Sequence, residues 1–533
     1  MTPLIKHRDR KIYLYLLLAW IVGCFVFFFF LYPNHLFHRE QMQLFIFTSD
    51  YLTTYFQKPA WLSCLLGDFL TQFYYFIGGG PLIITLALLV LAGISFKALS
   101  PLAGAKRAFI LALLVATLEV FRNTGMIYPL SSTISLAGGF FLILFENAFK
   151  KNRFLYLTGN LLFVILGYWM FGYGIWVFLG LLLISEWRRN NVWIPSLIAI
   201  ITAVCPLFFR PYYLVTIPKA YTYPSTSFWN VPDFDREFVL SLDNNFYFRK
   251  YARVVEAAQQ SEIKNPLVTY YFNLSNSQLY QLPDNLLHYY QPAAKGLFFD
   301  LNQESSLLAI LFSNEVWFWL GDMTMAEHSA MLGQIFSYNG RSSRLTKRLA
   351  EINLVHGDTL AAEKHLKILS KTLLYSEWAA SRFPKNHTQA YKNWLEQKRS
   401  KVNALDTLRL ANDHITSLRN LLDSNPGNSE ALDYLLCFHL LSKNISAFMD
   451  DYNKYWKPQN IIPKKIYAEA IMIYMAQKRA SQEEVTSYYI PVDVVKDFWR
   501  FTDLYSKEQK ETLQKEFNTS YCFYYQFATI IQR

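Results

Sequence analysis

The chain opens on an apolar stretch and returns to one six more times within its first 214 residues. Runs near 12–32, 79–98, 108–122, 129–148, 154–171, 172–187 and 193–212 carry few charges. They approach the roughly 20 residues a helix needs to cross hydrocarbon, so the pattern predicts seven spans. The first run follows Lys6, Arg8, Arg10 and Lys11 with no small-residue cleavage site after it, which reads as a signal anchor. Residues 33–78 are the longest connection here, and they are not a hydrophilic loop. Met42–Phe56 and Trp61–Phe76 mix apolar and polar positions and are parted by Lys58-Pro59. Proline interrupts a helix, so two helices lying in the membrane interface are expected, with aromatic rings at headgroup depth.

Past Tyr213 the texture changes. Residues 215–232 are rich in Pro, Tyr, Thr and Ser, a linker composition. Residues 233–533 read as helix after helix, with little alternation of period two. Glu315–Ala326 aligns with Arg348–Ala362: each apolar helix closes on Gly-Asp, and an alanine follows five positions after the glycine. Gly321 and Gly357 stand 36 residues apart. The glycine permits a turn between paired helices, and the alanine lets the second helix pack closely. Looser units follow at Ala431–Leu441, with Ser442 and Ala447, and at Ile466–Met475. The array resembles a degenerate tetratricopeptide-like solenoid, whose units bury their apolar faces only by stacking on neighbours. The expected fold is all-α: a membrane bundle over 1–214 with its outer loop at 33–78, a linker over 215–232, and a helical-repeat domain over 233–533.

Composition agrees with such a mixture. Of 533 residues 53% are hydrophobic and 17% charged, against about 25% charged in a soluble protein. A mean hydropathy of +0.12 is nevertheless low for a wholly embedded chain. Disorder is excluded by 13 Trp, 36 Tyr and 44 Phe, and a disulfide scaffold by five scattered cysteines. The net charge of +11 is uneven: residues 1–214 hold 16 Lys+Arg and 7 Asp+Glu. The second half is therefore nearly balanced, which excludes nucleic acid as a partner. With the N-terminus in the cytoplasm, seven spans put twelve basic residues inside, among them Lys97, Lys106, Arg107, Lys150, Lys151, Arg153, Arg188 and Arg189. Only Arg39, Lys58, Arg122 and Arg210 fall outside. The positive-inside rule thus places everything after Leu214 outside the cytoplasm, in the periplasm of a bacterial inner-membrane protein.

Candidate chemistry gathers just beyond the first span. His35, His38, Arg39, Glu40 and Gln41 are followed by Asp50 and Asp68. An acidic residue there suits a general base for a sugar-acceptor hydroxyl or a ligand for a divalent cation. Arg39, Arg122 and Arg210 suit a lipid-linked phosphate through charge-assisted hydrogen bonds. The same side chains also suit solvated anchors at the headgroup level. His35, His38 and Glu40 match no metal-site spacing, so no metal and no cofactor is expected. Glu119 and Glu146, near the ends of the third and fourth spans, read as boundary residues. Neither inverted repeats of a transporter nor a phosphate loop or zinc-helix motif is present.

This layout resembles polytopic glycosyltransferases of the GT-C type, with a first helix, a large outer loop carrying juxtamembrane helices and an acidic residue, and an extracytoplasmic tail. The resemblance implies Glu40 as the catalytic carboxylate, with Asp50 as second choice. The cluster reads His38-Arg39-Glu40-Gln41 and has no paired acidic motif, which speaks against metal-dependent catalysis. The whole chain is also similar to a group of uncharacterised bacterial membrane proteins with a repeat-containing tail. Two functions are expected from this: a transferase using a lipid-phosphate-linked donor, such as a lipid-linked sugar, at the outer face, or a membrane-anchored scaffold whose repeats bind an envelope protein.

Overall fold

The computed structural model describes residues 7–145, 153–187, 193–403 and 413–529. Lys6, Glu146, Lys150, Lys151, Arg188 and Arg189 lie outside the described residues. Among the described residues every regular element is helical. The chain forms two compact units, one of residues 1–238 with 368–379, the other of 239–367 with 380–533.

The first unit begins with α1 (His7–Val26), closed by a π-helical turn at Phe27–Leu31. Short helices α2 (Asn34–Gln41), α3 (Ser49–Phe56) and α4 (Trp61–Thr71) follow. The remaining bundle is α5 (Gly79–Ala103), α6 (Ala105–Asn123), α7 (Leu130–Ile143), α8 (Arg153–Phe171), α9 (Ile175–Trp187) and α10 (Trp193–Tyr213). α11 (Ile217–Thr222) and the start of α12 (Phe234–Tyr247) complete it.

Among the described residues four helices are long and apolar enough to cross a membrane: Lys11–Leu31, Gly79–Ala103, Tyr156–Trp187 and Pro195–Tyr213. The third is α8 and α9 taken together, broken by a tight turn at Gly172–Gly174. α6 misses because Lys106, Arg107, Glu119 and Arg122 interrupt its apolar face. α7 has 14 residues, a length of roughly 21 Å against about 30 Å of hydrocarbon.

α1 runs alongside α6: the Tyr13 and Phe109 rings lie 4.7 Å apart, and Trp20 Nε1 donates to Thr117 Oγ1 at 3.0 Å. The α5–α6 turn at Gly104, which carries Lys97, Lys106 and Arg107, therefore lies at the same end of the unit as the start of α1. The opposite end gathers the C-terminus of α6, the N-terminus of α7 and the α8–α9 turn. There small residues allow backbone contact: a Cβ on Gly139 would sit 2.0 Å from the Gly174 carbonyl oxygen, and one on Gly138 2.1 Å from the Phe171 ring.

Two stretches of this unit depart from the sequence reading. The helix expected over 42–56 is only α3, since Gln43–Phe47 is non-helical and Thr48 caps α3 by accepting from Tyr51 N. β-branched and aromatic side chains at Phe45-Ile46-Phe47-Thr48 lower helix propensity, and the threonine is better used as the cap. The stretch expected as a linker is packed in place. Ala220 O accepts from Tyr168 Oη at 2.8 Å, Tyr221 O from Trp176 Nε1 at 3.1 Å, and Tyr223 O from Tyr173 N at 2.9 Å.

The second unit is built from helix pairs. Leu307–Leu320 turns through Gly321, at φ 104°, into Met323–Phe336. Ser343–His356 turns through Gly357, at φ 96°, into Thr359–Leu369. Both second helices are capped alike: Asp322 accepts from Met325 N at 3.1 Å, and Asp358 from Ala361 N at 2.9 Å. Ser429–Leu441 with Ile445–Asp451 and Lys465–Lys478 with Gln482–Thr486 repeat the arrangement, with Lys443 and Arg479 at the positive-φ position.

Candidate functional site

α2 is buried almost throughout, although its sequence is mostly polar. Pro33 precedes it and offers no side-chain cap. A carboxylate from elsewhere fills the role: Glu237 of α12 accepts from the backbone N–H of Asn34 and, at 3.0 Å, from that of His35. A carboxylate at a helix N-terminus satisfies orphan donors and complements the helix dipole. With its start pinned, α2 buries four ionisable side chains, His35, His38, Arg39 and Glu40.

His35 Nε2 donates to the Asn123 carbonyl at 3.0 Å, and its Nδ1 lies 3.5 Å from Glu237. Burial pushes this imidazole below its ordinary range, with Glu237 opposing. Arg39 is 7% exposed. Its Nη1 reaches the same Asn123 carbonyl at 3.4 Å, and its guanidinium lies 5.6 Å from the Tyr74 ring centroid. Among the described residues no carboxylate pairs with it, and Nη2 has no hydrogen-bond partner. Burial pulls its pKa below the usual arginine value, while Tyr74 and Tyr128 work the other way.

Glu40 is 2% exposed and faces another direction. Both its oxygens accept from the Tyr375 hydroxyl, at 2.9 and 3.0 Å, and the Tyr375 ring stands edge-on to Tyr75. Arg122 is next to Asn123 in the chain, and both its terminal nitrogens are engaged with other groups, while its Nε has no partner. Its Nη1 pairs with Glu119 at 2.5 Å, and its Nη2 donates to Ser225 Oγ at 2.9 Å and to Ser227 O at 3.2 Å. Tyr128 and Thr133 hydroxyls also donate to Glu119, at 3.1 and 2.7 Å. Glu119 is thus a buried network member, not the boundary residue its place near a span end suggested, because α7 and the Ser225 segment close over it.

The remaining candidates stand apart. Asp50 is exposed in the first turn of α3, and Arg210 is exposed with Nε donating to Val215 O at 3.2 Å. Asp68, in α4, is buried and accepts from the Tyr55 hydroxyl at 2.8 Å. Burial raises its carboxyl to about 6, with Tyr55 and Lys58 lowering it. That value is near the range in which a carboxylate exchanges protons at neutral pH.

The structure therefore brings Arg39 to the carbonyl of Asn123, at the C-terminal end of α6. Glu40 is turned toward Tyr375, and Asp50 and Arg210 are left outside the cluster. Sequence reasoning missed Asn123, Tyr74, Glu237 and Tyr375, none of which carries a local motif. Glu237 had one legible signal, an acidic residue in the first turn of a helix. Among the described residues no group of three or more His, Cys, Asp or Glu gathers as a metal site would require.

Neither a curated protein nor a solved structure matches the chain. A family model does so over residues 9–528, nearly the whole sequence, and the chain belongs to that family, a family of unknown function (DUF6057).

Proposed function

We propose that this membrane protein is a transferase of GT-C layout that takes a lipid-phosphate-linked donor, such as a lipid-linked sugar, at the outer face. In this reading α1 and α5–α10 make seven crossings, the N-terminus is cytoplasmic, and a tetratricopeptide-like array follows outside. The observation that carries it is Arg39: a guanidinium buried without a carboxylate, one nitrogen unpartnered, adjacent in the chain to a buried carboxylate. An uncompensated cation at this depth is costly, and a phosphate would offset that cost with charge-assisted hydrogen bonds. Arg122 already serves Glu119, and Arg210 is exposed, so the phosphate role rests on Arg39. Glu40 is the proposed base, with Asp50, exposed on α3, as second choice.

The scaffold reading has its own support. The Glu40 carboxylate receives the Tyr375 hydroxyl on both oxygens, as a structural group would, and the helix pairs offer a surface to an envelope protein. One experiment separates the two. In a strain whose deletion alters envelope glycans or lipid-linked precursors, Arg39→Met and Glu40→Gln should each fail to restore the profile while the proteins accumulate normally. Full restoration by both would remove the transferase and leave the scaffold.

A further inference from the structure

α1 does not close fully onto the hairpin of α5 and α6. Between the three helices lies an apolar groove of about 380 Å³, a volume within the range of about 300–1,000 Å³ found for ligand sites. Tyr13 and Leu17 form one wall, and Gly93 and Phe96 of α5 with Phe109 and Leu113 of α6 form the other. Phe96 and Phe109 meet edge to face with ring centroids 6.4 Å apart, and Tyr13 stands 4.7 Å from Phe109. The groove is open at Gly93, where a Cβ would meet nothing within 4 Å. Toward the middle of the helices it is shut off. Trp20, one turn past Leu17, donates from Nε1 to the Oγ1 of Thr117, one turn past Leu113, at 3.0 Å.

The other end of the groove is basic. Lys11 stands three positions before Leu14, a further wall residue, Lys97 four after Gly93, and Lys106 three before Phe109. Each lysine therefore occupies the next turn of a face that lines the groove. All three are exposed. α5 contains no acidic residue, α6 has none before Glu119, and Asp9 is the one carboxylate in α1. Thr117 is eleven positions past Lys106, roughly 16 Å along the helix and about one leaflet of a hydrocarbon core of about 30 Å.

α1 with its terminal turn and α5 are both long and apolar enough to span, so in a membrane this groove faces hydrocarbon. A wall with no partner atoms forfeits dispersion contacts, which favours an acyl chain between the aromatic rings over a void. The chains of different lipids are equally apolar, so selection among them falls to the headgroup. Lysines beside a span attract anionic lipid, and their long stems carry the ammonium groups to headgroup level. We propose that the groove holds one anionic phospholipid of the leaflet at the basic end. An acyl chain lies between α1 and the α5–α6 hairpin, and the phosphate sits among Lys11, Lys97 and Lys106. Arg39 is at the opposite end of α6, so this lipid is distinct from the donor of the transferase reading and independent of it.

The test follows the full chain by native mass spectrometry from detergent, with phosphatidylglycerol and phosphatidylcholine of identical acyl chains as probes. One phosphatidylglycerol should be retained per chain, saturably, and preferred over phosphatidylcholine by about fivefold for each lysine engaged. Lys97→Gln/Lys106→Gln should remove most of that preference. Gly93→Phe, which places a ring in the open groove, should remove the adduct itself. Val90→Phe, on an exposed face of α5 outside the groove, should leave it as in wild type. Equal retention of the two lipids by the wild-type protein would overturn the site however the variants behave. So would an adduct that survives Gly93→Phe, or one that Val90→Phe diminishes equally, since either describes an unselective lipid annulus. A lipid-free dimer that Gly93→Phe splits into monomers would also overturn it, and would assign the groove to a second copy of the chain.

Discussion

At the scale of single residues, the first unit holds its polar interior together by saturating charges. Glu119 receives Arg122, Tyr128 and Thr133, and Arg122 in turn binds Ser225 and Ser227. Removing one partner of a buried pair leaves the other desolvated and alone, a loss of about 3–5 kcal/mol, whereas removing both is far cheaper. Arg122→Met should therefore lower the melting temperature in detergent strongly, and Glu119→Gln/Arg122→Met should recover most of the loss. Additive single-variant losses would show that the pair is not coupled. Glu469 in the second unit gives a pH prediction. Its carboxyl is 4% exposed, accepts the Tyr521 backbone N–H, and is raised to about 7 chiefly by burial. The fold thus favours the protonated form. The stability this group contributes is complete below its ordinary value of 4.5 and is lost as pH rises through about 7. Denaturation midpoints should fall between these pH values more steeply in wild type than in Glu469→Gln, and the variant should be the more stable at pH 8. Parallel curves would refute the assignment.

At the scale of elements, the helix pairs show what a turn residue contributes. Gly321 and Gly357 sit at similar positive φ, yet their surroundings differ: a Cβ on Gly321 would lie 2.3 Å from the Lys401 carbonyl oxygen, and one on Gly357 meets nothing within 4 Å. Gly357→Ala should cost about 1–2 kcal/mol of backbone strain alone. Gly321→Ala should cost clearly more, because the Lys401 backbone must shift as well. Equal losses in equilibrium unfolding would contradict this. The same comparison explains what could be read beforehand. The first two pairs aligned closely because glycine marks their turn, whereas the units at Ala431–Leu441 and Ile466–Met475 aligned only loosely, since Lys443 and Arg479 take the positive φ, 54° and 52°, in place of glycine. α2 was illegible as a buried helix because His38-Arg39-Glu40-Gln41 looks like solvated surface. Glu40 and Arg39 were legible as candidates, since charge beside a span is conspicuous. Their partners were not: Tyr375 is 335 positions from Glu40, and Glu237 is 202 from His35. Hydropathy located the helices α1 and α5–α10, but it did not show that charges in α6, the brevity of α7 and the joining of α8 to α9 leave four segments apolar and long enough to cross among the described residues.

At the scale of the whole molecule, charge asymmetry is the strongest statement about topology, and it now has a geometric counterpart. The start of α1 and the basic turn between α5 and α6 share one end of the first unit, while the buried network of His35, Arg39, Glu119 and Arg122 occupies the other. Basic clusters are retained on the cytoplasmic side, so the network end should face outward and the second unit should follow it there. The five cysteines are all buried, which gives a quiet background for thiol labelling. Lys106→Cys, at the exposed basic turn, should resist a membrane-impermeant maleimide in intact bacterial cells whose outer membrane has been permeabilised, and react once the inner membrane is lysed. Lys496→Cys, exposed in the second unit, should react in the intact cells. Lys106→Cys labelled before lysis would reverse the orientation. Protection of both would mean an even number of crossings, and would place the helix pairs of the second unit in the cytoplasm.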